Sequence, residues 1–161
     1  MLDFIRIACA VPAVRVGDTA KNAEDICAYI EKADAERADI VLFPELALTG
    51  YTCQDLFFQD TLWTGVQQGI RKIADCTKDH PGVTAAVGLP VRTGMRLYNC
   101  AAVISRGKIH ALVPKTYIPN YNEFYEKRWF SSGAEVTEDM AELPGEPVPI
   151  LPRAVFRVGG T

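Results

Sequence analysis

Apolar and polar positions alternate along this chain in a way that names its elements one after another. Phe4, Ile5, Ile7, Ala8 and Cys9 make an apolar start, and residues 3–10 read as a buried strand. Asp18 or Thr19 then stands where a helix cap belongs, and Ala23, Ile26, Cys27, Ile30 and Ala33 recur at helical spacing on one face. Asp39 leads into a second short apolar run, 40–43, which predicts a β-α-β unit with parallel neighbouring strands. Leu62, Val66, Ile70, Ile73 and Ala74 give a second amphipathic helix across 60–78, ended by His80-Pro81-Gly82. A third strand runs from Val83 to Leu89 and stops at Pro90. The pattern then changes: Asn99 to Ser105 and Lys108 to Val113 flank Arg106-Gly107, a tight hairpin turn. An irregular stretch, 114–146, follows, rich in aromatic and charged residues, before strand character returns at Ala154 to Val158. A loop of that length in a compact domain is usually functional. The class is α/β, with no repeat, low-complexity tract or linker.

Composition narrows this picture. At 161 residues and 48% hydrophobic, the chain has the size and core of one domain. Lys plus Arg number 17 against 20 Asp plus Glu, a net charge of -3 with no basic block, so nothing offers nucleic acid an electrostatic footprint. The start, Met1 to Arg6, carries an acid where a secretory signal wants bases, and no apolar run approaches membrane-spanning length. The expected compartment is the cytoplasm, with no membrane partner. Cys9, Cys27, Cys53, Cys76 and Cys100 are scattered without a C-x-x-C pair, which argues against a zinc site or a disulfide framework. Cys9, Cys27 and Cys100 sit among apolar neighbours and are expected to be small buried hydrophobes.

Two positions carry candidate chemistry. Ile40-Val41-Leu42-Phe43-Pro44 ends in Glu45, and Ala111-Leu112-Val113-Pro114 ends in Lys115. Each is a short buried-type run stopped by a proline, and groups just past strand ends line the ligand crevice of α/β sheets. A carboxylate and an ammonium delivered this way point to an acid/base and a cationic clamp. On spacing alone, Glu45 reads equally well as a solvated loop carboxylate, and composition alone favours Lys115 as one surface lysine of many. No nucleophile stands convincingly beside them, and His80 and His110 have no assigned role.

Phe43-Pro44-Glu45-Leu46-Ala47-Leu48-Thr49-Gly50-Tyr51 resembles the first motif of the nitrilase, or carbon-nitrogen hydrolase, superfamily. The run from Lys115 to Phe130 resembles that superfamily's lysine motif. This version of it, with Gly50 to Phe57, looks most like the N-terminal glutaminase domain of glutamine-dependent NAD+ synthetases. The resemblance covers essentially the whole chain, and two motifs in order, each after a strand, are specific.

The resemblance implies a four-layer α-β-β-α sandwich, incomplete in this chain, with residues 1–161 as the N-terminal portion of the glutaminase domain. It implies Glu45 as general base and acid, and Lys115 as stabiliser of the oxyanion. Tyr121 and Phe124 would border the glutamine pocket, Glu123 would be the second carboxylate orienting Lys115, and Tyr51 would lie nearby. The nucleophilic cysteine of the family follows a later strand. Residues 154–158 look like the strand that leads to it, so the chain reads as cut off at Thr161. Cys53 is the only substitute present, and the motif does not use that position as nucleophile.

The implied activity is hydrolysis of L-glutamine, feeding ammonia to ATP-dependent NAD+ synthesis from nicotinic acid adenine dinucleotide. This stretch alone is expected to be inactive and to expose apolar sheet surface. No cofactor is expected on these residues. ATP and Mg are implied for a synthetase domain outside this chain, which itself has no G-x-G-x-x-G or P-loop pattern. The partners implied are the rest of the enzyme chain and further copies in a homo-oligomer. Two alternatives stay open: a free-standing carbon-nitrogen hydrolase acting on another small amide, and a catalytically inactive scaffold if the gene ends at Thr161.

Overall fold

In the computed structural model, which describes residues 4–158, strand and helix alternate through the first half of the chain. β1 (Ile7–Cys9), α1 (Thr19–Ala35), β2 (Ile40–Leu42), α2 (Asp60–Cys76) and β3 (Thr84–Thr93) come in order, with a 3-10 segment at Tyr51–Phe58 before α2. β1, β2 and β3 are parallel neighbours. The strands step across the sheet in one direction, so right-handed crossovers lay both helices on the same face. β4 (Arg96–Ser105) and β5 (Lys108–Pro114) add antiparallel strands, completing a five-stranded sheet in the order β1-β2-β3-β4-β5. A small hairpin, β6 (Met140–Glu142) and β7 (Pro147–Pro149), joins the β5 edge through an Ile150–Leu112 bridge.

The core follows from the two periodicities. Asp18 caps α1, its Oδ1 accepting from Lys21 N at 3.0 Å, and Ala23, Ile26 and Ile30 turn fully inward. They meet Val66, Ile70 and Ile73 of α2 and the alternate residues Ala85, Val87, Leu89 and Val91 of β3. Tyr98, Cys100, Ala102 and Ile104 of β4 share that face. Truncating any one of these isoleucines to alanine should cost about 2–5 kcal/mol.

Among the described residues the opposite face is open in part: Leu97 and Asn99 are buried on it, Leu97 against Leu46 and Phe130, and the rest is uncovered. Ile7, Cys9, Leu42 and Ala101 are exposed there, and Ala86, Val103 and Val113 are half-buried. One sheet and one helix layer are two of the four layers the resemblance implies, and the apolar sheet surface expected to be bare is bare.

Several sequence-based boundaries shift, each for a local reason. The first strand spans only Ile7–Cys9 and is not buried, with Phe4 at 88% and Ile5 at 56% exposure. It sits at the sheet edge, where its one neighbour, β2, is three residues long, and nothing among the described residues covers its outer face. Cys9 is therefore exposed rather than buried; residue 3 lies outside the described residues. α2 ends at Cys76, where Thr77 caps it by donating to Ala74 O at 2.7 Å.

β3 does not stop at Pro90. Thr84 N donates to Asp39 O, Ala86 O accepts from Phe43 N, and Gly88 O accepts from Leu48 N, so these residues aim their backbone toward the β2 side. Pro90, two further on, aims past the end of β2, where no donor is needed. The strand continues to a turn at Gly94 (φ 55°), a hairpin the sequence reading does not contain. Arg106 (φ 52°) and Gly107 (φ 79°) do form the second hairpin turn, both in the left-handed region such turns require. Residues 154–158 are not a strand: Val155 is 100% exposed, and the β5 edge is already taken by Ile150 and Leu151. Residues 159–161 lie outside the described residues.

Candidate active site

Glu45 is delivered by a tight turn laid over β3. Ala47 N returns to Pro44 O at 3.2 Å, and Gly50 N to Leu46 O at 2.7 Å, with Leu46 in the left-handed region at φ 53°. Leu48 N donates to Gly88 O at 3.1 Å, so the turn rests on the strand itself. Gly88 makes this possible: a Cβ there would lie 2.5 Å from Pro44 O and 2.9 Å from Glu45 C. Leu46 and Leu48 are fully buried on either side, and Asn22 Nδ2 holds Leu48 O at 3.1 Å. The carboxylate is what remains outside, 41% exposed.

Lys115 arrives from the other half of the sheet. Its N donates to Asn99 O at 2.7 Å, and its O accepts from Gly133 N at 2.8 Å, which fixes the backbone just past β5. Its Nζ lies 2.7 Å from Glu45 Oε1, and 3.0 and 3.2 Å from Glu126 Oε2 and Oε1. Asn99 Nδ2 donates to the same Glu45 Oε1, and Tyr51 OH donates to Glu126 Oε1 at 2.6 Å. Burial alone would lower the Lys115 pKa, but the hydrogen bonds it donates to Glu45 and Glu126 outweigh it and hold the ammonium above its usual value. Burial, then the Glu126 carboxylate, push the Tyr51 phenol well above its ordinary range. The group is therefore a fixed cation between two carboxylates, one of them, Glu126, almost completely shielded from solvent.

The two loops that carry these groups are tied together. Asp55 accepts from Arg128 Nε at 2.8 Å, Arg128 Nη2 reaches its other oxygen at 2.7 Å, and Trp129 Nε1 donates to Asp55 at 2.9 Å. Beneath, the Phe57 ring meets Phe130 edge-on at 4.9 Å and Trp129 at 5.9 Å. A cleft of about 690 Å³ opens beside Lys115, walled by Ile118, Tyr121, Phe130 and Ser132 among others. Glu45 does not line it.

The structure thus brings Glu45 and Lys115 together. Tyr121 stands on the cleft wall, 64% exposed, with half-buried Phe124 edge-on to it at 5.9 Å. Tyr51 reaches the site through Glu126.

One reading is corrected. The second carboxylate on Lys115 is Glu126, not Glu123. The chain turns at Asn122 (φ 51°), with Phe124 N bonded to Tyr121 O, leaving Glu123 exposed at the tip; Glu126 N then returns to Pro119 O and the side chain folds inward.

Asn99 was also missed, although an amide inside the apolar run Leu97 to Val103 is a legible signal. Glu126 offers none, being one acid in a mixed-sign run. Cys53 is no substitute nucleophile. It is 2% exposed, donates to Thr49 O at 3.1 Å, and burial raises its thiol pKa, the wrong direction for a thiolate. Among the described residues, no cluster of three or more His, Cys, Asp or Glu is placed to hold a metal ion, and no helix is long and apolar enough to cross a membrane.

The sequence profile of the carbon-nitrogen hydrolase family matches residues 6–151. The chain belongs to that family. It is similar to the glutamine-dependent NAD(+) synthetase of Xylella fastidiosa, 39% identical over 152 residues that cover 94% of this chain and 27% of that protein. The same enzyme of Mycobacterium tuberculosis is 36% identical over 130 residues, covering 81% and 19%. The glutamine-dependent NAD(+) synthetase structure from Cytophaga hutchinsonii superposes with a TM-score of 0.78 at 28% identity, over 91% of this chain and 25% of that one. An amidase from Nesterenkonia sp. shares the fold, with a TM-score of 0.66 at 23% identity over 89% of this chain and 53% of that one. The chain spans only about a fifth to a quarter of the length of the synthetases it matches.

Proposed function

We propose that Glu45 and Lys115 are the acid/base and the cation of a glutamine-hydrolysing site, completed by a cysteine from chain following Thr161. The observation that carries this reading is the 2.7 Å contact between two side chains 70 positions apart. In it, the cysteine thiol gives its proton to Glu45 as sulfur bonds to the amide carbon. The amide oxygen becomes an oxyanion, which the Lys115 ammonium stabilises more than it does the neutral amide. Glu45 returns the proton to the departing nitrogen, the C–N bond breaks, and ammonia leaves a thioester behind. Water then attacks the thioester while Glu45 takes its proton, and collapse releases glutamate and the thiol.

Glu126 supports this role by keeping the lysine charged and aimed. Tyr121 and Phe124 border the glutamine pocket, and the cleft beside Lys115 falls within the range of about 300–1,000 Å³ common for small-molecule sites. The synthetase relatives, at 36–39% identity, favour ammonia delivery to ATP-dependent NAD+ synthesis from nicotinic acid adenine dinucleotide. On this reading residues 1–161 are the N-terminal portion of the glutaminase domain. ATP and Mg serve a synthetase domain elsewhere in the protein, which assembles as a homo-oligomer.

The test uses the whole protein that carries this sequence. Glutamine, ATP, Mg and nicotinic acid adenine dinucleotide should yield glutamate and NAD+. Glu45→Gln should abolish glutamine-driven synthesis and spare synthesis driven by ammonium salts. Undiminished glutamine-driven turnover in that variant refutes the assignment. Amide hydrolysis without any ATP-dependent product would favour a free-standing amidase instead, a reading the shared amidase fold keeps in view. The 161 residues alone should hydrolyse nothing.

A further inference from the structure

Asn99 touches both halves of the site. It lies on β4, 3% exposed, its side chain on the sheet face opposite the helices. Its carbonyl accepts from Lys115 N at 2.7 Å, while its side-chain amide donates to Glu45 Oε1. An ionised carboxylate only accepts, so the amide must present its NH2 to Glu45. Oε1 therefore receives two donors, Asn99 Nδ2 and Lys115 Nζ, whereas Oε2 receives none among the described residues.

We infer that Asn99 is a positioning residue that fixes the Glu45 carboxylate and reserves Oε2 as the atom that takes and returns protons. The inference rests on the reading of Glu45 as general base. The end torsion of a glutamate is broad and nearly two-fold, so nothing in the side chain itself distinguishes one oxygen from the other. A lysine ammonium is a point charge on a flexible stem and can follow whichever oxygen is presented. Asn99 cannot follow: it is buried in the middle of a paired strand. It is the element that breaks the symmetry. Because the same residue holds the Lys115 backbone, it also sets the distance between acid and cation, and a site gains from such fixed geometry more than from added contacts.

Two variants of the whole protein test this, both keeping the Asn99 carbonyl that holds Lys115. Asn99→Leu removes the donor and keeps a branched, somewhat bulkier side chain, and Asn99→Ala removes donor and volume together. With that donor gone, the acid limb of the kcat/KM profile for glutamine should move to higher pH in both variants. kcat should fall about tenfold or more, with KM within about threefold. A purely structural role would lower the melting temperature, most in Asn99→Ala, and leave the acid limb in place. Parental kcat and an unmoved limb in a folded Asn99→Leu protein overturn the inference; if that variant does not fold, the same result in Asn99→Ala does so. Glu45→Gln, run alongside, separates the two levels. If it stays active, the general-base reading has failed. If it is dead while the Asn99 variants behave as the parent, only the positioning role has failed.

Discussion

Gly88→Ala is the sharpest perturbation the fold offers, because it adds one carbon directly beneath the turn that carries Glu45. That carbon would sit 2.5 Å from Pro44 O and 2.9 Å from Glu45 C, both backbone atoms that cannot rotate away. Comfortable separation for such atoms begins near 3.5 Å, so the turn must lift by about 1 Å. Lifting it breaks or stretches the Leu48 N to Gly88 O bond and pulls Glu45 away from Lys115, now 2.7 Å from it. Overpacking of this kind costs about 1–3 kcal/mol of stability. A displacement of about 1 Å in a reacting group costs about a hundredfold in rate. The assay is glutamine-driven turnover in the whole protein, read beside ammonium-driven turnover and a thermal melt. Glutamine-driven turnover should fall by about two orders of magnitude, ammonium-driven turnover should hold, and the melt should drop by a few degrees. Turnover within a factor of about three of the parent, with an unchanged melt, would mean that the turn does not rest on Gly88.

Glu126→Gln leaves Lys115 with one carboxylate instead of two. The Lys115 pKa is raised in the folded state, so its pairing stabilises the protein fully below the ordinary lysine value and the benefit is lost as pH rises through the folded value. In the variant that loss should be smaller and complete at lower pH, and the neutral amide left against the ammonium should cost about 1–3 kcal/mol; urea midpoints across the alkaline range measure both, and superimposable curves would refute the coupling. Thiol alkylation of the 161 residues near neutral pH should mark exposed Cys9 well before Cys53 or Cys100, whose thiols burial pushes upward, and Cys53→Ser in the whole protein should keep glutamine-driven turnover. First labelling at Cys53 with loss of activity would restore it as a nucleophile.

What the sequence disclosed, and what it withheld, divides along physical lines. Ala23, Ile26 and Ile30, or Leu62, Val66 and Ile70, announce helices because one face alone meets the core, and that face is written in the spacing. Glu45 and Lys115 stand out because a proline stops each strand just before them. The start and end of the described chain misled for one reason: apolar residues around Ile5 and Val155 look like buried strand, yet nothing among the described residues covers them. Pro90 misled because a proline ends a strand only where its missing N–H is wanted, and that depends on how far β2 extends. Glu123 and Glu126 cannot be told apart in sequence, since the choice is made by a left-handed residue at Asn122 and a bond back to Pro119.

The order of the sheet explains why the site needs more than its two charges. Glu45 follows β2 and Lys115 follows β5, and β3 and β4 lie between them. Three strand spacings amount to about 14 Å, far beyond a salt bridge. The gap is closed from both sides on the open face. The Glu45 turn leans across β3, which only a residue without a side chain at Gly88 allows. The long stem of Lys115 crosses β4, where Asn99 holds its backbone and receives the carboxylate it meets. Gly88 and Asn99 are therefore as much a condition of the 2.7 Å contact as the two residues that make it. A substitution at either should cost glutamine hydrolysis while leaving both charges in the sequence.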